Sequence, residues 1–263
     1  MAELTRTVRF CLRGDGTLNA EAPEDNAFAA WPPVEGLGRY YELEVACRGE
    51  VDPQTGYMVN IKDIDRAVRA EALPRVSGLA RSSEDRAIGP MLAGLFAPLN
   101  RRLPWPARRL TLRLTPTVSI GMEQDDMSAI LLRQRYDFSA AHRLHVDELS
   151  EAENQRVFGK CNNPSGHGHN YQIEVTVRAA IGGDGLTMPV GRLDALVKAH
   201  VIDDYDHAHL NCDVADFAGL NPSTENIARR AFARLAEPVA AAGAELCSVE
   251  VWETDRTSCR VEA

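Results

Sequence analysis

Residues that bind metals or move protons meet in one stretch, GKCNNPSGHGHNYQIEVTV, residues 159–177. Cys161 precedes two histidines, His167 and His169, which flank a single glycine. If this segment is a strand, alternation puts both imidazoles on one face, roughly 7 Å apart along the chain. A third histidine, His142, ends an earlier alternating stretch, RQRYDFSAAH, so pairing the two strands would gather three imidazoles. Three neutral imidazoles on zinc leave a fourth position open, the catalytic pattern rather than the closed structural one. An open zinc polarises a bound oxygen and lowers its pKa. A loop of solvated histidines is the plainer reading of an isolated His-Gly-His; His142 tips the balance toward metal.

Other groups stand near this trio in the sequence. Cys161 lies in KCNNPSG, rich in turn formers, which can fold a thiol back over the metal. A neighbouring cation favours thiolate and makes the sulfur a base or nucleophile. Two other readings stay open: a fourth ligand that closes the site, or an inert thiol. In DDYDHAHLN, Asp206 precedes His207. Adjacent side chains do not automatically touch, and a solvated helix end explains them equally well. Glu253, in VEVWETD, shares an alternation face with Val249 and Val251. Such a carboxylate is either at the rim facing water or aimed at paired N–H donors of a ligand; alternation alone favours the rim. Arg143, Arg156 and Lys160 are the local basic candidates for an anionic group.

The elements that must position these groups recur. RQRYDFSAAH and HNYQIEVTVRAAI read as strands. GRLDALVKAHV places Leu193, Leu196, Val197 and His200 on one helical face. NPSTENIARRAFARL offers Ser223 or Thr224 as an N-cap before a second helix, and LCSVEVWETDRTSCRVE reads as two strands around a turn. The first half repeats this plan: GLGRYYELEVAC at 36–47 matches GHGHNYQIEVTV at 166–177, GYMVNIKDIDRAV at 56–68 matches GLTMPVGRLDALV at 185–197, and RLTLRLTPT at 109–117 follows the alternation of CSVEVWETDRT. A period of roughly 130 residues points to a duplicated domain. Each half is expected to be α+β, an antiparallel four-stranded sheet with two helices in the order ββααββ. The expected domains are 1–125 and 131–263, with the linker inside the acidic IGMEQDDMSAIL, 120–131.

All seven histidines lie beyond residue 141, so the first half lacks the metal set. By alignment, His167 and His169 meet Leu37 and Arg39; Cys161 falls near Trp31, His142 near Gly14 and Glu253 near Thr115. Leucine cannot ligate a metal and arginine does not deprotonate. The first half is expected to be structural, with a modified regulator pocket as the alternative.

Composition narrows the class. The chain is 44% hydrophobic and 25% charged, ordinary for a soluble globular protein. The start, MAELTRTVRF, has no apolar run of signal-peptide length, and no stretch approaches the ~20 residues that span a bilayer. The expectation is a soluble cytoplasmic protein with no membrane partner. The net charge of -9 argues against a general nucleic-acid binder. Six cysteines without C-x-x-C pairs form neither a disulfide framework nor a zinc ribbon.

FSAAHRLH, FGKCNNPSGHGHNYQIEVTV, DHAHLN, STENIA and VEVWETD, in this order, closely resemble 6-pyruvoyl-tetrahydropterin synthases over about residues 131–263. The resemblance implies a tunnelling (T-) fold, here in tandem, whose subunits join into a barrel. It implies Zn2+ held by His142, His167 and His169, and a catalytic triad of Cys161, Asp206 and His207. It implies that Glu253 anchors the pterin, with Thr224 and Glu225 lining its pocket. The implied reaction converts 7,8-dihydroneopterin triphosphate to 6-pyruvoyl-tetrahydropterin and releases triphosphate, a lyase reaction without redox cofactor. The related 6-carboxy-tetrahydropterin synthases usually have three residues between the cysteine and His-Gly-His; the five here, NNPSG, favour the pyruvoyl enzyme. A non-catalytic zinc or pterin binder is the other alternative. In the family the thiol and the Asp–His pair come from neighbouring subunits, which implies a homo-oligomer, a trimer of two-domain chains mimicking a hexamer.

Overall fold

The computed structural model describes residues 1–18, 36–82, 88–182, 185–186 and 188–263. Trp31, the residue aligned near Cys161, lies outside them. The chain divides into two compact units, Met1–Leu132 with Ala179–Thr187, and Arg133–Arg178 with Met188–Ala263.

The first unit opens with strands β1 (Ala2–Leu12) and β2 (Arg39–Gly49). Helices α1 (Ile61–Glu71), α2 (Leu73–Ser82) and α3 (Ile88–Asn100) follow, then β3 (Ala107–Arg113) and β4 (Val118–Glu123). The strands are antiparallel in the order β1-β2-β3-β4. Their register sets Val8 opposite Leu43, Leu43 opposite Leu112 and Leu112 opposite Ile120, one buried apolar row across the sheet. Ile64 and Val68 of α1 and Leu92, Leu95 and Leu99 of α3 are buried with it. Asp65 on α1 is also buried, and Arg6 of β1 meets its carboxylate with two hydrogen bonds of 3.0 and 2.8 Å. A buried carboxylate is tolerated when it is paired and bonded in this way.

Two expectations are corrected here. Among the described residues the first unit has three helices instead of two. The segment 120–131 is no linker: β4 turns at Gln124 and Asp125 into β5 (Asp126–His142). Its acidic residues sit around the turn, while Ile120, Met122, Ala129 and Ile130 are buried on either side. An acid-rich stretch that looked like a break is a hairpin tip.

In the second unit, β5 leads into α4 (Glu151–Phe158), a 3-10 turn (Gly159–Asn162) and β6 (His167–Gly182). The end of β6, in the first unit, pairs with β7 (Gly185–Leu186). After α5 (Val190–Val197) the helix widens into a π turn (Lys198–Ile202) and α6 (Asp203–Tyr205). Short α7 (Leu210–Asp213) and a 3-10 turn (Ala215–Phe217) precede α8 (Thr224–Ala241), β8 (Ala244–Thr254) and β9 (Thr257–Glu262). The strand order is β5-β6-β8-β9, and α8 packs on β8 and β9. The extra short helices were not anticipated, but the architecture is α+β with an antiparallel sheet, as expected. Ser223 is the N-cap of α8, accepting from Asn226 N, and Ser150 with Glu153 forms a capping box on α4. Among the described residues no helix is long and apolar enough to cross a membrane.

Candidate active site

The core pattern of three strands runs on into polar residues at one end of the second unit. On β5 the buried alternate residues are Phe138, Ala140 and His142. On β6, Tyr171, Ile173 and Val175 are buried, and the same alternation continues back to His169 and His167. On β8, Val249 and Val251 are buried and Glu253 comes next. Period two thus carries four polar side chains to one place. The rings of His142, His167 and His169 lie with centroids 4.5, 5.1 and 4.8 Å apart, and ligand nitrogens of all three fall within 4.8 Å of one another. Glu253 is corrected from its rim position: its Oε1 lies 3.4 Å from His142 Nε2 and 3.6 Å from His169 Nε2.

The chemistry of the donors suits a cation. His142 is fully buried, and its Nδ1 lies 2.7 Å from the carbonyl of Pro222. A carbonyl only accepts, so Nδ1 carries the proton and Nε2 presents a lone pair. This is the orientation that metal-ligating histidines receive from their outer partners. His142 Nε2 faces His167 Nε2 at 3.0 Å. His169 Nε2 is buried and makes no hydrogen bond. Burial pushes the His142 imidazole down to about 4. Burial and the charge of His169 also lower His167. Both rings are therefore neutral, the form that binds metal, at neutral pH. Three imidazoles whose ligand nitrogens lie within 4.8 Å of one another, one of them buried without a hydrogen-bond partner, fit a metal.

The Cys161 turn is clamped beside this cluster by the three residues after His142. Leu144 N donates to the carbonyl of Cys161 at 2.9 Å. Arg143 donates to the backbone carbonyl and to Oδ1 of Asn162 at 3.1 and 2.9 Å. His145 Nδ1 bonds the same Oδ1 at 2.8 Å, and Asn162 Nδ2 donates to Glu151 at 3.2 Å. Asn162 is buried, whereas Cys161 is half-buried and lines a groove with Lys160 and His167. Arg143, a sequence candidate for holding an anion, spends its guanidinium on Asn162. Arg156 is exposed on α4, and Lys160 is exposed beside Cys161.

Asp206 and His207 do touch: His207 Nδ1 lies 2.9 Å from Asp206 Oδ2. Both are held by one residue of β5, for Ser139 N donates to Asp206 Oδ1 at 2.8 Å and Ser139 O accepts from His207 N at 2.6 Å. The bonds from Ser139 and His207 keep the Asp206 carboxyl below its usual range. His207 sits at φ 60, the left-handed region, and is 82% exposed. It lines a groove with His169 and His209, different from the groove of Cys161. Thr224, buried, and Glu225 open α8, and hydrogen bonding from Ser223 lowers the Glu225 carboxyl.

Sequence reading missed the Pro222 carbonyl, the Asn162 clamp and His209. Only the clamp left a trace, an asparagine beside the cysteine. At the first-unit positions matched to His167 and His169, Leu37 is 97% exposed and Arg39 donates to the Ala80 carbonyl at 2.9 Å.

The family model described as 6-pyruvoyl tetrahydropterin synthase matches residues 131–263. The human 6-pyruvoyl tetrahydrobiopterin synthase is 42% identical over 123 residues, 46% of this chain and 83% of the human one. The Drosophila melanogaster protein of that name is 46% identical over 98 residues, 37% of this chain and 58% of its own length. Among solved structures, Caenorhabditis elegans 6-pyruvoyl tetrahydropterin synthase matches 51% of this chain and 96% of its own at 34% identity and a TM-score of 0.48. With half its length under the family model and the histidine cluster inside that half, the chain belongs to the 6-pyruvoyl tetrahydropterin synthase family.

Proposed function

We propose that this protein is a zinc-dependent 6-pyruvoyl-tetrahydropterin synthase, a lyase that takes 7,8-dihydroneopterin triphosphate to 6-pyruvoyl-tetrahydropterin and releases triphosphate. The observation that carries the reading is the convergence of three imidazoles within 4.8 Å, one of whose nitrogens, His169 Nε2, is buried without a hydrogen-bond partner. His142, His167 and His169 would hold the ion, which supplies Lewis acidity toward the hydroxyls of the substrate side chain. Cys161 would take a proton from that side chain. His207, oriented by Asp206 through the 2.9 Å contact, would move protons on the opposite side. Glu253, with Thr224 and Glu225, would bind the pterin ring, a carboxylate meeting paired N–H donors. Protons shift from the side chain to the ring as triphosphate leaves, so the side chain is oxidised and the ring reduced without an external redox partner.

The five residues between Cys161 and His167 favour this product over the carboxy product of the related enzymes. Incubation of the purified chain with dihydroneopterin triphosphate and identification of the product by mass is the test; a carboxy product, or none, overturns the reading. Cys161→Ala is expected to abolish turnover with zinc retained, whereas loss of zinc would make the thiol a structural ligand.

The first half is read as a T-fold domain without the metal set, so the chain is a tandem of two such domains in the cytoplasm. The expected assembly is a trimer of chains, so that catalytic domains meet one another. Light scattering that gives two or four chains would contradict it.

A further inference from the structure

Ser139 holds Asp206 and His207 from the β5 side, and one side chain of α8 holds the segment just before them. Arg234 is half-buried, and its guanidinium serves several groups at once. Its Nη1 donates to the carbonyl of His200 at 3.0 Å and to the carboxylate of Asp204. Its Nε donates to Asp216, and its Cζ lies over the Tyr205 ring, 5.1 Å from the centroid. Tyr205 is fully buried, donates to the same Asp216 oxygen at 2.8 Å, and meets Phe138, the neighbour of Ser139, edge-on at 6.0 Å. Of these partners of Arg234, all but Asp216 lie in residues 200–205, directly before Asp206. They span the π turn and α6. π turns are rare, and many sit at functional sites. Asp206 N donates back into this turn, to the Ile202 carbonyl at 2.9 Å, so a shift of the turn moves Asp206 with it. A partly buried guanidinium paired with carboxylates gains little stability, because desolvation offsets much of the attraction. Its planar fork of donors supplies geometry instead, fixing several acceptors relative to one another, which a lysine ammonium does not.

We propose that Arg234 is a positioning residue: by locking residues 200–205 onto α8 it holds the Asp206–His207 pair where it can move protons. The effect on turnover rests on the acid–base role proposed above for His207; the effect on the backbone does not. In none of these contacts does Arg234 meet the three imidazoles or Cys161. Loosening it therefore acts on one side of the reaction and leaves the metal set and the thiol turn in place.

The test compares the full chain with Arg234→Lys and with Asp204→Asn, which removes one partner at a carboxylate that is 57% exposed. Native-state hydrogen exchange is followed by mass spectrometry with residue-level fragmentation. The His207 amide, which donates to the Ser139 carbonyl at 2.6 Å, should exchange about tenfold or more faster in Arg234→Lys. The Leu144 amide, which donates to the Cys161 carbonyl, should keep its wild-type rate. In turnover, kcat should fall about tenfold to 10²-fold at unchanged KM and unchanged zinc content. Asp204→Asn should shift both readings the same way by less. An unchanged His207 rate overturns the proposal, and so does an equal acceleration of both amides, which is general loosening. A faster His207 amide with full kcat, or a loss that falls on KM or on zinc content, overturns it too. If Arg234→Lys does not fold, as judged by circular dichroism, Asp204→Asn decides on the same readings. A wild type without turnover on dihydroneopterin triphosphate is a different result: it removes the proposed function, and the exchange rates alone then decide whether Arg234 holds the pair.

Discussion

His207 shows how this site trades stability for position. A non-glycine residue in the left-handed region costs about 1–2 kcal/mol, and His207 holds φ 60 with its ring 82% exposed. Little burial repays that strain; the Ser139 bonds fix the backbone instead, aiming the imidazole at Asp206. His207→Gly is therefore expected to raise the stability of the fold by about 1 kcal/mol in urea unfolding. The same variant should lose about 10²-fold or more in turnover, the worth of a positioned acid–base group. A variant that is both less stable and still active would show that the strain has no part in function. Gly166 is the opposite case. It has φ 71, and a Cβ there would lie 2.7 Å from His209 Nε2 and 3.0 Å from the His142 carbonyl. Gly166→Ala should cost about 2 kcal/mol, strain and overlap together. Because it pushes against both His142 and the start of β6, metal content by elemental analysis should fall as well.

The strands were legible because a period of two maps sequence directly onto a face. His142, His167, His169 and Glu253 each extend a buried alternate row, so their convergence follows once β5, β6 and β8 are recognised. For Glu253 the face was legible but not the depth, since alternation does not say whether a row ends in water or over a cluster. The α5 helix was read as one regular stripe through Leu193, Leu196, Val197 and His200. The buried residues are instead Leu193, Val197, Val201 and Tyr205, each four apart. An α-helix overshoots by about 40° at every four-residue step, and the π turn at Lys198–Ile202 takes that back. Such a correction leaves no local signature. The turn formers around Cys161 were legible, but the partners that hold that turn, Arg143, Leu144 and His145, were not, because they come from the end of another strand. Asn162 is the hinge of that contact, and Asn162→Ala strands Arg143 and His145 without their shared acceptor. The thiol should then lose its fixed place, with kcat reduced about 10²-fold, the usual effect of displacing a reacting group by an ångström. Metal content should stay unchanged, since Asn162 touches none of the three imidazoles. Unchanged kcat, or loss of metal, would deny the turn its positioning role.

At the scale of the whole chain, the proposed duplication leads one to look for matching buried bonds as well as matching motifs. Asp65 on α1 accepts from Arg6 of β1, and Asp194 on α5 accepts from Gln134 of β5, the same helix-to-strand bond in each unit. The second unit alone carries the histidines, yet the groups proposed to move protons are split. Cys161 lines one groove with His167, and His207 lines another with His169. If one reaction uses both, the two must come from different copies of the chain, which the proposed trimer provides. Cys161→Ala and His207→Ala should each be inactive alone. Co-expressed, they form mixed rings in which some interfaces pair an intact thiol from one copy with an intact histidine from the next. Random assembly makes about a quarter of the interfaces competent in a cyclic oligomer. Activity should therefore return to about a quarter of the wild-type level per site, and only in the mixed assemblies separated by mass. No recovery in verified mixed assemblies would place both groups in one copy and remove the reason for catalytic domains to touch.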